Sequence, residues 1–207
     1  MEHTTNTITL RGSLYGLPEF SHENHGRRFY RFLLEVPRLS GTVDLLPVIA
    51  EDRLIEHLDP CAGEMITVTG QIRSYNQRTE GARHLIIFVF AAMVTVEDGE
   101  PLNEVIVEGP ICREPTYRTT PLGREICDVM LAVPRAFRRA DYLPCILWGA
   151  TAQQISQCHT RDRICIQGRL QSRVYTKLTP EGPVERTAYE VSALSAQITE
   201  FYQAGDS

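Results

Sequence analysis

Apolar and polar residues alternate with a period of two along most of the chain. NTITLRGSL (6–14), RRFYRFLLEVP (27–37), VDLLPVIA (43–50), MITVTGQI (65–72) and ARHLIIFVFAAMVTV (82–96) all carry the pattern. Such a period sends successive side chains to opposite faces of a strand, so five strands are predicted. The segment EDRLIEHL (51–58), between the third and fourth, has the length of a short helix. The same order then recurs. NEVIVEGPI (103–111), REICDVMLAVP (124–134) and ADYLPCILW (140–148) read as strands, ATAQQISQC (150–158) as a helix, and RICIQGRL (163–170) and RTAYEVSALSAQI (186–198) as the closing strands.

The recurrence is a duplication. At an offset of 97, residues 6–61 align without a gap on 103–158, with 14 of 56 positions identical. Asn6 matches Asn103, Gly12 matches Gly109, Pro18 matches Pro115, and Gly26-Arg27 matches Gly123-Arg124. Val36-Pro37-Arg38 matches Val133-Pro134-Arg135, and Asp44-x-Leu46-Pro47-x-Ile49 matches Asp141-x-Leu143-Pro144-x-Ile146. After a one-residue shift, Ile66-x-Val68-x-Gly70 matches Ile164-x-Ile166-x-Gly168. Five strands with a helix between the third and fourth is the OB-fold order. The expected fold is therefore all-β with minor α: two tandem five-stranded Greek-key barrels, each with one helix. The first domain is placed at 1–97, a polar linker at 98–102, the second domain at 103–200 and a short tail at 201–207.

Charge changes the picture in one respect. The chain carries a formal net charge of −5. Residues 1–102 hold 9 basic and 14 acidic side chains, whereas 113–186 hold 12 basic and 7 acidic. A basic surface confined to the second half is enough to attract phosphates there. No stretch reaches the roughly 18 apolar residues of a membrane span, and the N-terminus MEHTTNTITL lacks the features of a signal peptide. The six cysteines (61, 112, 127, 145, 158, 165) form no CxxC pair and read as buried, reduced thiols. His22-Glu23-Asn24-His25 lacks the HExxH spacing and is expected in a solvated loop. No Walker, GxSxG or dinucleotide motif appears, so no catalysis, cofactor or metal is expected.

From Asn103 to about Ile198 the second unit resembles the bacterial single-stranded DNA-binding protein family. NEVIVEG, REPTYRTTPLG, VMLAVPRAFRR, DYLPCILWG and DRICIQGRLQSRVY match in order and spacing. The resemblance implies bases stacked on four aromatics, which fall on Phe137, Tyr142, Trp148 and Tyr175. Tyr142 and Trp148 are six apart on one strand and so share a face, with Leu143, Cys145 and Leu147 opposite. Stacking tolerates any base, and phosphates need cations. Arg135, Arg138, Arg139, Arg173 and Lys177 lie near the aromatics, and Arg118 and Arg124 extend the track.

The first unit keeps the framework but carries Ser40, Leu45, Glu51 and Gln77 at those four positions, and a carboxylate in place of the tryptophan is expected to repel phosphate. It is expected to be structural or dimerising, with Tyr75, Arg73, Arg78 and Arg83 as a weak secondary contact. The ending AQITEFYQAGDS also departs from the family's long Gly/Pro/Gln-rich tail, which favours a specialised, accessory or mobile-element version. The expected partner is single-stranded DNA, with replication or repair proteins possible, in a homodimer that gives four barrels. A cytoplasmic, nucleoid-associated setting is expected. The alternatives are a primosome-like or scaffold protein that works through protein contacts, and an RNA-binding barrel.

Overall fold

Among the described residues, eleven strands form one continuous sheet that closes on itself twice. The computed structural model describes residues 5–56, 58, 63–79, 82–179 and 182–203. The first unit contains β1 (Asn6–Asn24), β2 (Arg27–Pro37), β3 (Val43–Glu51), β4 (Met65–Thr79) and β5 (Ala82–Val96). The second contains β6 (Leu102–Pro110), β7 (Thr116–Thr119), β8 (Glu125–Arg135), β9 (Arg139–Trp148), the helix α1 (Gly149–Ile155), β10 (Arg163–Thr179) and β11 (Gly182–Glu200). The strand order is β2-β3-β5-β4-β1-β6-β10-β11-β9-β8-β7, and β2 also pairs with β1 to close the first barrel. No helix among the described residues is long and apolar enough to cross a membrane.

The inward stripe of each strand is the predicted apolar set. Leu34, Leu46, Val48, Ile66 and Ile72 fill one barrel, and Leu131, Leu143, Leu147, Ile164 and Leu170 fill the other, all fully buried. Removing each such side chain from water contributes roughly 1.5–3 kcal/mol. The glycines shared by the repeats are steric. A Cβ on Gly70 would sit 2.1 Å from the Phe90 carbonyl oxygen, and one on Gly168 2.2 Å from that of Ser192. Both lie where the ladder to the last strand of the unit shifts register.

The units differ in how they close. In the first, β1 runs on from Ser13 along β2 as a long hairpin, ending in a turn whose two residues, His25 and Gly26, take φ of 51 and 72. Positive φ at both central residues gives the type I′ turn that matches strand twist. The loop expected at His22–His25 is thus mostly strand. In the second, Pro110 replaces Ser13 and has no N–H to continue the ladder. The equivalent closure shrinks to a single bridge, Ile111 to Leu131. The chain beyond it forms the extra edge strand β7.

Among the described residues, the helix expected in each unit forms in the second. α1 buries Ala152 and Ile155, whereas the first unit has a 3-10 turn, Asp52–Leu54, among its described residues. Ala150, Ala152, Gln153 and Gln154 are strong helix formers, and Pro60 disfavours helix at the residue before it. Cys127, Cys145 and Cys158 are buried and Cys165 is partly so, but Cys112 is exposed, against expectation, just after the bridge at Ile111; all five are free. Burial pushes the Cys127 thiol up to about 11. Cys61 lies outside the described residues.

The two barrels join about a pseudo-dyad. β1 pairs antiparallel with β6, and Ile8 lies opposite Val105, its own counterpart in the repeat. Residues directly opposite in such a pair point to one side of the sheet. Ile8 and Val105 are both buried in the core, so both barrels hang on the same side and the sheet's other face is shared. The contact is isologous. Asp44 accepts from the backbone N–H and hydroxyl of Ser172 at 2.7 and 2.8 Å, and Asp141 accepts from the N–H of Ser74 at 2.7 Å. Arg38 binds Asp44 at 2.6 Å, and Arg135 binds Asp141 at 3.3 Å. Arg73 adds a second ion pair to Asp141 at 3.1 Å.

Both carboxylates are fully buried, and removing one partner of such a network typically costs about 3–5 kcal/mol. Asp141→Ala is expected to lower unfolding free energy by about that much, read as a lower urea midpoint. Burial alone raises the Asp44 carboxyl, but the Arg38 guanidinium and the two Ser172 donors outweigh it and hold it below the usual aspartate range. The stability it confers is therefore complete above about pH 4 and lost as pH falls through the depressed value. Acid titration of Asp44→Asn should show a flatter loss of stability below about pH 4 than the parent.

Candidate nucleic-acid interface

The outward face of β9 carries Tyr142, Pro144, Ile146 and Trp148, while Leu143, Cys145 and Leu147 are buried behind it. Tyr142 and Trp148 are 40% and 38% exposed, and six residues of strand set them about 20 Å apart. Tyr142 is positioned by the first unit: its backbone N–H donates to Ser74 Oγ at 2.7 Å. Trp148 Nε1 donates to Ser192 Oγ at 3.4 Å.

Trp148 borders a cleft of about 840 Å³ that also takes in Ile126, Ile146, Gln171 and Ser192. Five arginines line it, Arg38, Arg118, Arg124, Arg169 and Arg173, against two carboxylates, Asp128 and Glu190. Arg118 is paired with Asp128 at 2.7 Å, and Arg173 lies 3.8 Å from Glu190. Arg124 and Arg169 have no ion-pair partner among the described residues. Arg169 Nε is buried there without a hydrogen-bond partner, a donor that an anion entering the cleft can satisfy.

A second cleft of about 570 Å³ follows along β9, bordered by Pro144 and Tyr175 on one side and by His84 and Gln77 of the first unit on the other. Arg173 lies over the Tyr175 ring at 5.7 Å. Arg186, opposite Tyr175 in the β10–β11 hairpin, approaches both ring nitrogens of His84 at 3.3–3.4 Å. Its Nε is also buried without a partner.

Phe137 stands apart from both clefts, at the turn from β8 to β9. It is 95% exposed, and Phe137 and Arg138 take φ of 61 and 54. Arg138 and Arg139 are exposed beside it, and Lys177 is half-buried on β10. The structure thus brings Trp148 together with Arg118, Arg124 and Arg173, and Tyr175 with Arg173. Arg135 is turned instead to Asp141. Sequence reasoning missed Arg169, Arg186 and Arg38. Counting by twos back along β10 from Tyr175 and Arg173 reaches Arg169. Nothing in the sequence puts Arg38, from the first unit, into a cleft of the second.

Comparison with known proteins adds to this geometry. The model of the single-strand binding protein family matches residues 102–199. Single-stranded DNA-binding protein B of Bacillus subtilis is 34% identical over 80 residues, covering 35% of this chain and 71% of that protein. The chain belongs to the single-strand binding protein family. The single-stranded DNA-binding protein of Bacillus cereus is 33% identical over 108 residues, covering 48% of this chain and 61% of its own length. Single-stranded DNA-binding protein 1 of Staphylococcus aureus is 35% identical over 81 residues, covering 36% and 48%. The chain therefore spans about half the length of several curated relatives it matches.

Solved structures match over both units. Wild-type single-stranded DNA binding protein from Thermus aquaticus superposes with a TM-score of 0.77 at 22% identity, covering 98% of this chain and 96% of that one. A deletion mutant of the same protein gives 0.78 at 23%, with both chains covered completely. This likeness bears out the fold, two barrels of the OB type in one chain.

Proposed function

We propose that the chain binds single-stranded DNA with little regard to sequence, as a binding protein and not an enzyme, and keeps it available for replication, recombination or repair. The observation that carries the reading is the Trp148 cleft, where an exposed aromatic edge borders five arginines and two carboxylates. Bases stack on Trp148, Tyr142, Phe137 and Tyr175. Phosphates run along Arg124, Arg118, Arg169 and Arg173, with Arg138, Arg139 and Lys177 at the flanks. Arg135 has a structural role in this reading, because Asp141 already holds it. Arg38 contributes from the first unit while bound to Asp44.

A second copy completes the particle. Ile106, Met93 and Val96 are exposed on β6 and β5, and Ile106 lies on the shared face that neither barrel covers. Two chains meeting through this face form a homodimer of four barrels. Sedimentation equilibrium is expected to give twice the chain mass, and Ile106→Glu to shift it toward one.

Trp148 is the chain's single tryptophan, so its fluorescence reads the cleft without a label. Oligo-dT should quench it saturably, less so as salt rises, while duplex DNA should not. Trp148→Ala is expected to weaken binding about 10–100-fold, and Arg169→Gln to lower the salt slope by about one. An unquenched Trp148 with no binding at low salt would remove this reading.

A further inference from the structure

The pseudo-dyad gives the Trp148 cleft an image on the first barrel. By the repeat, Ile146 maps to Ile49, Arg38 to Arg135 and Gln171 to Arg73. On the last strand of each unit, Ser192 pairs with Ile146 whereas Phe90 pairs with Ile49. Phe90 thus stands where the second barrel has Ser192, and Phe88 where it has Glu190. The image groove exists, about 170 Å³ in volume, lined by His22, Ile49, Arg73, Phe88, Phe90 and Arg135.

Its walls are aromatic. Ile87 and Val89 are buried, so alternation turns Phe88 and Phe90 outward. Tyr75 meets Phe88 edge-on at 6.0 Å, and Phe90 lies 5.9 Å from Phe29. The His22 ring stacks on Phe29 at 4.8 Å and 11°, the geometry of a base on a platform. Five rings thus run across the face from one hairpin to the other. Tyr75 is 50% and Phe90 36% exposed, an outlay of aromatic surface that points to a ligand.

The charges around the band also differ from the sequence expectation. Glu51 replaces Trp148, and a carboxylate there suggested repulsion of phosphate. It is instead held between Arg53 at 2.9 Å and Arg27 at 3.7 Å. Asp141, at the other end, is held between Arg73 and Arg135. Two arginines surround each carboxylate, so the groove is positive.

We propose that the first barrel carries a second base-stacking site for single-stranded DNA, its aromatics moved from the third strand to the fifth, Phe90 and Phe88, with Tyr75 beside them on the fourth. It goes beyond the preceding reading, which places stacking on the second barrel. A long single strand then lies across both barrels, each gripping bases with a different strand.

The test gives each site its own reporter. Phe90→Trp in a Trp148→Phe background leaves one tryptophan, on the first barrel, and Tyr75→Trp in the same background is a second reporter at an already exposed position. The probe is oligo-dT of about 35 nucleotides, longer than the roughly 4–16 that one such barrel covers. Saturable quenching of either reporter by this oligonucleotide, weakened by salt, is the expected result. Phe88→Ser with Tyr75→Ala should also lower its affinity about 10–100-fold, while quenching of native Trp148 by a dT of about 8 nucleotides stays unchanged. Unquenched reporters on the first barrel beside a quenched Trp148 would overturn the inference and leave the second-barrel site standing. Quenching at neither barrel would end both.

Discussion

Antiparallel pairing of β1 with β6, centred where Ile8 faces Val105, is the contact on which the other features depend. Strand geometry allows residues that face each other in this way to point only to one side. With both buried, the two cores must lie on the same side of the sheet. That placement brings the β3 carboxylate Asp44 to β10 of the other unit, and the β9 carboxylate Asp141 to β4. Each carboxylate, itself buried, is then satisfied by a backbone N–H of the other unit and by half-buried arginines. Arg38 enters the Trp148 cleft, and Ser74 reaches the backbone of Tyr142, as results of the same geometry.

On this shared frame the two units have taken different surfaces. Frame residues recur because each answers a requirement that both copies share. Asn6 and Asn103 extend the inner ladder by bonding both backbone groups of Ile72 and Leu170, and Gly70 and Gly168 leave room for a carbonyl oxygen. Groove residues answer no such requirement and have diverged. Trp148 against Glu51 and Ser192 against Phe90 change what a groove presents without changing the strands beneath it. Function on such folds resides in these grafted positions.

This division also explains what the sequence could show. The duplication, the strand order and the inward stripe are visible because period-two alternation and frame identity are local signals. The pairing of Tyr142 with Trp148 on one outward face follows from their spacing alone. The pairing of Arg135 with Asp141 could not be read, because Asp141 is an acid six positions away with nothing in sequence to mark it as buried. The equivalence of Phe90 with Ser192 was hidden by hairpins of unequal length, which push the offset past 97, and it emerges only from pairing with Ile49 and Ile146. Glu51 was read by its own charge, whereas Arg53 and Arg27 close around it in space.

The polar joint Glu97–Pro101 connects β5 to β6 across only a few residues. Dyad pairs made of separate subunits obey mass action and come apart on dilution. Here the partner is tethered, and a short tether sets an effective concentration near the millimolar range whatever the bulk value. The β1–β6 contact is therefore insensitive to expression level, so the two unlike grooves always occur in a one-to-one ratio and in fixed order. Mixed or mismatched pairings, which a pool of free half-size subunits would sample, are closed to this chain.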